Sequence, residues 1–457
     1  MESRSSNFLR GILLTGALTA CTEPTLPPDE ADPGVDQTDP TAVDRTVTTN
    51  AREVLLYVAA VEKTSTGATA SPDAIFTVDV APWSSTYGKI IYRTDMTAVG
   101  DELHHFGYDW DQRHLIAGGI FSGRNHVLDV HTDSRRPAIE DVNNNLVSAS
   151  GYVVPHTVIA LPTGNSLMTM IGAAASGMGA PGGVIEVDRD GNFVSNFGAG
   201  ATRDYTAVGP KYMYDIGIKS ELNRMVSTTF GLPKDIAGGI NTASPTLGLG
   251  DEVCVWDYQS RRVIQRVNLG AGTGALEARW TNTYGEPVGY TNTPGTGAIW
   301  AWEDYDGNGV YAFRQVLTGL GIPTDLVMTS DSKYLYAADW GNGRVFQISI
   351  YDRLRPVITA TLNVPHAQMM RLSQDNKRLY VTNSLLSTWD DDPDLGGPRN
   401  ANYGIYLIQT NHPYSGMTLT GNPLVNFSSI QKKFATGTMR PHQIFFDPAV
   451  VNPFGFH

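Results

Sequence analysis

The chain has 457 residues, of which 41% are hydrophobic and 17% charged, and it holds 47 glycines and 26 prolines. So apolar, sparsely charged and turn-rich a composition excludes a disordered chain and a coiled coil, and suits many short strands. The net charge of −13 argues against a nucleic-acid partner, and two cysteines, Cys21 and Cys254, exclude a disulfide framework or a multi-cysteine metal site.

In chain order, residues 1–20 carry Arg4 and Arg10 ahead of an apolar run from Ile12 to Ala20. The run is too short to span a bilayer and has the form of a secretory signal. It ends Leu18-Thr19-Ala20-Cys21, which resembles the bacterial lipobox. Cys21 is therefore expected to be lipidated, anchoring the chain at the periplasmic face of a bacterial membrane with no spanning helix. Thr22 in the next position favours the outer membrane. Residues 21–50 continue as an acidic, proline-rich stretch with hardly any large apolar side chains. Such a stretch cannot repay the entropy of ordering and is expected to be a disordered tether.

From Val54 onward, apolar runs such as Ile75-Phe76-Thr77-Val78 and Val184-Ile185-Glu186-Val187 alternate with turns such as Asp188-Arg189-Asp190-Gly191-Asn192. No window sustains a 3.6-residue apolar period, so residues 51–457 are expected to be all-β. Ser330-Asp331-Ser332-Lys333-Tyr334-Leu335-Tyr336 recurs as Ser373-Gln374-Asp375-Asn376-Lys377-Arg378-Leu379-Tyr380, the turn–strand grammar of a propeller blade. At about 58 residues per blade, this body makes a single-domain, seven-bladed β-propeller.

A second periodicity concerns polar residues. His104-His105, His156, Asp215, Glu277, Asp325, His366 with Gln368, and His442 recur about one blade apart. The innermost strand of each blade lines the central channel, so residues at its mouth converge although far apart in sequence. Imidazoles and carboxylates gathered in this way make a transition-metal site, and with no cysteine in the series the order of affinities favours Cu(II) ahead of Zn or Fe. Adjacent residues on a regular strand point to opposite faces, so His104 and His105 share one ion only where the backbone is irregular, which nearby Gly107 permits, or else one binds and the other orients it. Glu277 and Asp325 are candidate proton acceptors or orienting groups. His114, His126, His131, His412 and His457 read as surface or core histidines. Asp304-Tyr305-Asp306-Gly307-Asn308-Gly309 reads as a β-turn, because Gln315 stands where a calcium loop needs glutamate.

At these residues the chain resembles the selenium-binding protein / methanethiol oxidase family. The resemblance runs through Gly100-Asp101-Glu102-Leu103-His104-His105-Phe106-Gly107, Pro155-His156-Thr157, Val255-Trp256-Asp257-Tyr258, Leu276-Glu277-Ala278-Arg279, Lys377-Arg378-Leu379-Tyr380-Val381-Thr382-Asn383-Ser384-Leu385 and His442. It implies a seven-bladed propeller with copper held by His104, His105, His156 and His442. It also implies an oxidase that converts methanethiol, oxygen and water to formaldehyde, hydrogen sulfide and hydrogen peroxide. The chain departs from the family pattern in several places. Tyr108-Asp109-Trp110-Asp111-Gln112-Arg113 lacks the usual cysteine, so selenium attachment through that thiol is not expected. Val158 and Gln443 stand where a second histidine and a glutamate are common, and His366 is an extra candidate ligand. The expectation is a copper-dependent oxidase of a small thiol. The alternatives are a propeller that binds copper without turnover, or one that only binds a protein partner. A calcium lactonase-type propeller would have a centre poor in histidine.

Overall fold

The structure, a computed structural model, describes residues 54–62, 70–198, 211–237, 248–391, 402–431 and 436–447. The expected signal, Cys21 and the expected tether lie outside them.

Among the described residues, seven four-stranded sheets form the ring of a β-propeller. The innermost strands of blades 1 to 6 are Leu103–Tyr108, Tyr152–Ala160, Met213–Lys219, Arg279–Trp280, Pro323–Met328 and Met370–Leu372. Blade 7 is composite. Its innermost strand, Arg440–Asp447, pairs antiparallel with Leu55–Val61 from the other end of the body, with Leu56 opposite Phe446 and Val58 opposite Ile444. The sequence Leu55-Leu56-Tyr57-Val58-Ala59-Ala60-Val61 has no polar alternation because both faces of this strand are buried. Outermost strands such as Val357–Asn363 are exposed along one side and do alternate.

The core follows the same plan. One apolar cluster sits between each pair of neighbouring blades; Tyr57, Leu103, Phe106 and Phe445, for example, join blades 7 and 1. An eighth, including Ile120, Val154, Tyr214, Phe230, Leu386 and Trp389, lies across the channel mouth.

The inner strands share one irregularity that positions the site. In blade 1, Leu103 pairs Gly119 and Phe106 pairs Ala117, so His104 and His105 together face one residue. The same two-against-one bulge holds His156-Thr157 in blade 2, Tyr214-Asp215 in blade 3 and His442-Gln443 in blade 7. In blade 5 the register shifts between Pro323 and Asp325. A bulge breaks the two-residue alternation and re-aims side chains. It is this, rather than Gly107, that brings both adjacent histidines to the channel. Gly107 has a different duty: a Cβ there would stand 2.5 Å from the Val158 carbonyl oxygen of the next blade.

Candidate metal centre

Four histidines from three inner strands meet in the channel. His104 and His105 come from blade 1, His156 from blade 2 and His442 from blade 7, all buried. The rings of His104 and His442 stack with centroids 3.5 Å apart, and those of His105 and His156 lie 3.8 Å apart. His105 Nε2 is 3.4 Å from His442 Nε2. One ligand nitrogen from each of His104, His105 and His156 falls within 4.8 Å of the others.

Burial, reinforced by the neighbouring His442 and His156, holds His104 well below the usual imidazole range. Burial likewise pushes His442 down to about 3, against a smaller opposing effect from its hydrogen bond to the Ser384 carbonyl. Neutral imidazoles in one place are what a metal ion needs, since no proton must first be displaced. His442 Nδ1 lies 2.6 Å from the Ser384 carbonyl oxygen, so Nδ1 carries the proton and Nε2 the lone pair. The Thr157 hydroxyl donates to Asp215 Oδ1 at 2.7 Å and therefore accepts from His156 Nδ1, 3.3 Å away. His104 Nδ1 is buried with no hydrogen-bond partner. Neutral rings at His104 and His442, an oriented Nε2 on His442 and an unsatisfied Nδ1 on His104 fit a transition-metal ion of the copper and zinc group.

His104 and His156 open onto a cavity of about 40 Å³ roofed by Ile120, Phe230, Leu386 and Trp389. Two short helices, Pro233–Ala237 and Ser387–Asp390, close this roof. The Trp389 indole N–H joins them by donating to the Ile236 carbonyl at 2.9 Å. Ser387 donates its backbone N–H and its hydroxyl to Glu102, at 2.7 and 2.6 Å, tying the roof to the strand that carries His104.

Glu277 and Asp325 are placed beside the histidines' channel but bind Arg279. Arg279 Nη1 is 2.6 Å from Asp215 Oδ2, and Nη2 is 3.5 Å from Asp325 Oδ1 and also bridges Glu277. Burial, outweighing Arg279, raises Glu277 well above the ordinary carboxyl range, and Asp325 rises for the same reason. Burial thus favours the protonated form of Glu277, against the pull of Arg279. Its connection to the histidines runs through Arg279, Asp215 and Thr157 to His156. Tyr214 packs on His156 with ring centroids 3.8 Å apart, and burial together with Glu277 holds its phenol protonated.

His366 is the expectation that the structure corrects. It stands on a turn at φ 49, and its Nδ1 lies 3.2 Å from the Trp340 carbonyl. It lines a separate pocket with Asn342, Asn363 and Asn422. Gln368, two residues on and just before the inner strand Met370–Leu372, is buried, with its Oε1 unpartnered. Thr157, Tyr214 and Arg279 do not stand out in the sequence as site residues. The first two are bulge neighbours of a recognised member, and that adjacency is the signal by which they could be found.

Elsewhere, Asp304 accepts from Asn308 N and Gly309 N and so closes a turn. Cys254 is buried, its thiol pushed up by desolvation. A second acidic group, Asp109, Asp111 and His114, already has a cation beside it, since Arg189 Nη2 lies 3.1 Å from Asp111.

The sequence profile described as 56kDa selenium binding protein (SBP56) matches residues 32–449. The chain is 28% identical over 437 residues to selenium-binding protein 2 of Arabidopsis thaliana, covering 82% of this chain and 87% of that one. It is 26% identical over 439 residues to the human methanethiol oxidase, covering 82% and 90%. The crystal structure of a hypothetical selenium-binding protein from Sulfolobus tokodaii superposes with a TM-score of 0.76 at 25% identity, over 87% of this chain and 94% of that one.

Proposed function

The chain belongs to the 56 kDa selenium-binding protein family, and from that membership together with its channel histidines we propose that it is a copper-dependent oxidase of a small thiol. The reaction is that of the methanethiol oxidases it resembles, in which methanethiol, oxygen and water give formaldehyde, hydrogen sulfide and hydrogen peroxide. The observation that carries this reading is the buried meeting of His104, His105, His156 and His442 under an apolar roof.

Copper, when bound to these imidazoles, would supply a Lewis acid that favours the thiolate form of the substrate and an acceptor for its electrons. The protein's own groups account for the rest. A cavity of about 40 Å³ has room for a few heavy atoms beside His104 and His156, which suits a thiol as small as methanethiol. Ile120, Phe230, Leu386 and Trp389 offer the sulfur no hydrogen bond and keep bulk water away, which strengthens every electrostatic interaction inside. The second nitrogens of His156 and His442 are fixed by Thr157 and by the Ser384 carbonyl, so neither ring must reorient. Tyr214, whose phenol burial keeps protonated, packs on His156 and is the proton donor nearest the histidines.

Metal analysis and product assay test the proposal. The purified protein should carry about one copper per chain and release sulfide and peroxide from methanethiol. His156→Ala should lose at least about tenfold in copper affinity and most of the turnover. Absence of copper binding, or full activity in His156→Ala, would refute the reading. Copper binding without sulfide release would reduce it to a metal-holding propeller.

A further inference from the structure

The two ring nitrogens of His105 are not equivalent, and Gln443 is the reason. The buried backbone N–H of Phe106 donates to Gln443 Oε1. A backbone N–H can only donate, and buried in this way it requires an acceptor. The carbonyl end of the Gln443 amide is therefore the end that faces Phe106. Its NH₂ end must then face His105 Nδ1, which lies 3.2 Å away. An amide NH₂ can only donate, so His105 Nδ1 must hold a lone pair. In the neutral ring the proton then sits on Nε2. His442 supplies independent agreement. Its Nδ1 is committed to the Ser384 carbonyl, so its Nε2 is a lone pair facing His105 Nε2 at 3.4 Å. Two bare nitrogens would repel at that distance, whereas one N–H against one lone pair is a hydrogen bond.

We propose that Gln443 is a positioning residue that holds His105 in the Nε2–H form, making it a hydrogen-bond donor in the centre rather than a metal ligand. His105 is then the one ring of the four that meets whatever binds at the site with a proton rather than a lone pair. Only the consequence for the metal rests on the copper reading. The position of the proton belongs to the metal-free protein and is fixed by Phe106, Gln443 and His442.

Long-range proton–nitrogen NMR of metal-free protein labelled with ¹⁵N on histidine reads the tautomer directly, with His105→Gln identifying the His105 signals. The expected spectrum shows His105 protonated at Nε2 with bare Nδ1. In Gln443→Glu one carboxylate oxygen still accepts from Phe106 N–H, and the other becomes an acceptor for His105 Nδ1, so the proton should move to Nδ1. On copper loading, pulsed electron paramagnetic resonance should count three coupled imidazoles in the wild type and four in Gln443→Glu, with a copper Kd about tenfold lower in the variant. An Nδ1 proton on His105 in the wild type overturns the proposal, as do four coupled imidazoles there. A wild type that binds no copper would sink the oxidase reading, yet the metal-free spectrum would still decide this one. If Gln443→Glu does not fold, the wild-type spectrum alone decides between the two tautomers.

Discussion

Arg279 faces three buried carboxylates, those of Asp215, Glu277 and Asp325, each on the inner strand or channel turn of a different blade. A single guanidinium cannot neutralise three anions, so burial drives Glu277 and Asp325 toward their protonated forms. The sign follows. A carboxyl whose folded pKa is raised contributes stability that is complete below its ordinary value near 4, and that is lost as pH rises through the folded value. Removing Arg279 raises the folded values further. Arg279→Met should therefore cost about 3–5 kcal/mol at neutral pH, the scale for breaking a buried ion pair, and the deficit should shrink as pH falls toward about 4. Urea unfolding at a series of pH values checks this, and a deficit that does not depend on pH would contradict it. Arg279 also shows where residue-level reading of a sequence stops. Glu277 and Asp325 stand out because they fall into a blade-length series, but their shared cation lies outside that series. No spacing says that carboxylates 48 residues apart, the distance from Glu277 to Asp325 in the chain, meet one arginine. His366 shows the opposite error. It keeps nearly the same spacing as Gln368 yet sits on the turn, and only backbone conformation separates the two.

At the scale of the strand, the bulge and the glycine beyond it work together. Gly107 follows His105 by two residues, and Gly217 follows Asp215 by two. A Cβ on either would come within 2.5 Å of a carbonyl oxygen on the next inner strand, Val158 for Gly107 and Ala278 for Gly217. Backbone atoms cannot give way as a flexible side chain does. Gly107→Ala should therefore force blades 1 and 2 apart and cost about 1–3 kcal/mol. It should also weaken the proposed copper site, because His104 stands on one of those strands and His156 on the other. Denaturant unfolding and a copper titration measure the two effects, and a variant as stable as the wild type would contradict the close approach. The strands themselves are readable from apolar runs between turns. Their bulges are not, because a bulge is a property of two paired strands and appears in neither sequence alone. The paired histidines of blade 1 are the one place where the chemistry requires an irregularity before it can be seen.

The ring as a whole closes by pairing Leu55–Val61 with Arg440–Asp447. Tyr57 is fully buried in the closing strand, packs among Leu103, Phe106 and Phe445, and donates its hydroxyl to the Ser134 carbonyl at 2.7 Å. Tyr57→Ala should lower stability by about 3–5 kcal/mol, as large aromatic truncations in cores do. Loss of signal from blade 4 should accompany it in one transition, which tryptophan fluorescence of Trp280 and Trp302 would follow; separate melting of distant blades would show the closure to be local. Seven blades are legible from length and repeat. The shared blade is not, since nothing in a linear repeat marks its last unit as borrowing strands from the first. That shared blade also has a consequence for biosynthesis. His105 and His442 lie 337 residues apart and meet only when the terminal strand is in place. A nascent chain still emerging from the ribosome, or one cut short before Arg440, holds three of the four histidines and no closed ring. The four-histidine cluster is thus completed only by the strand that closes the ring, and a product lacking that strand has no finished cluster to offer a metal.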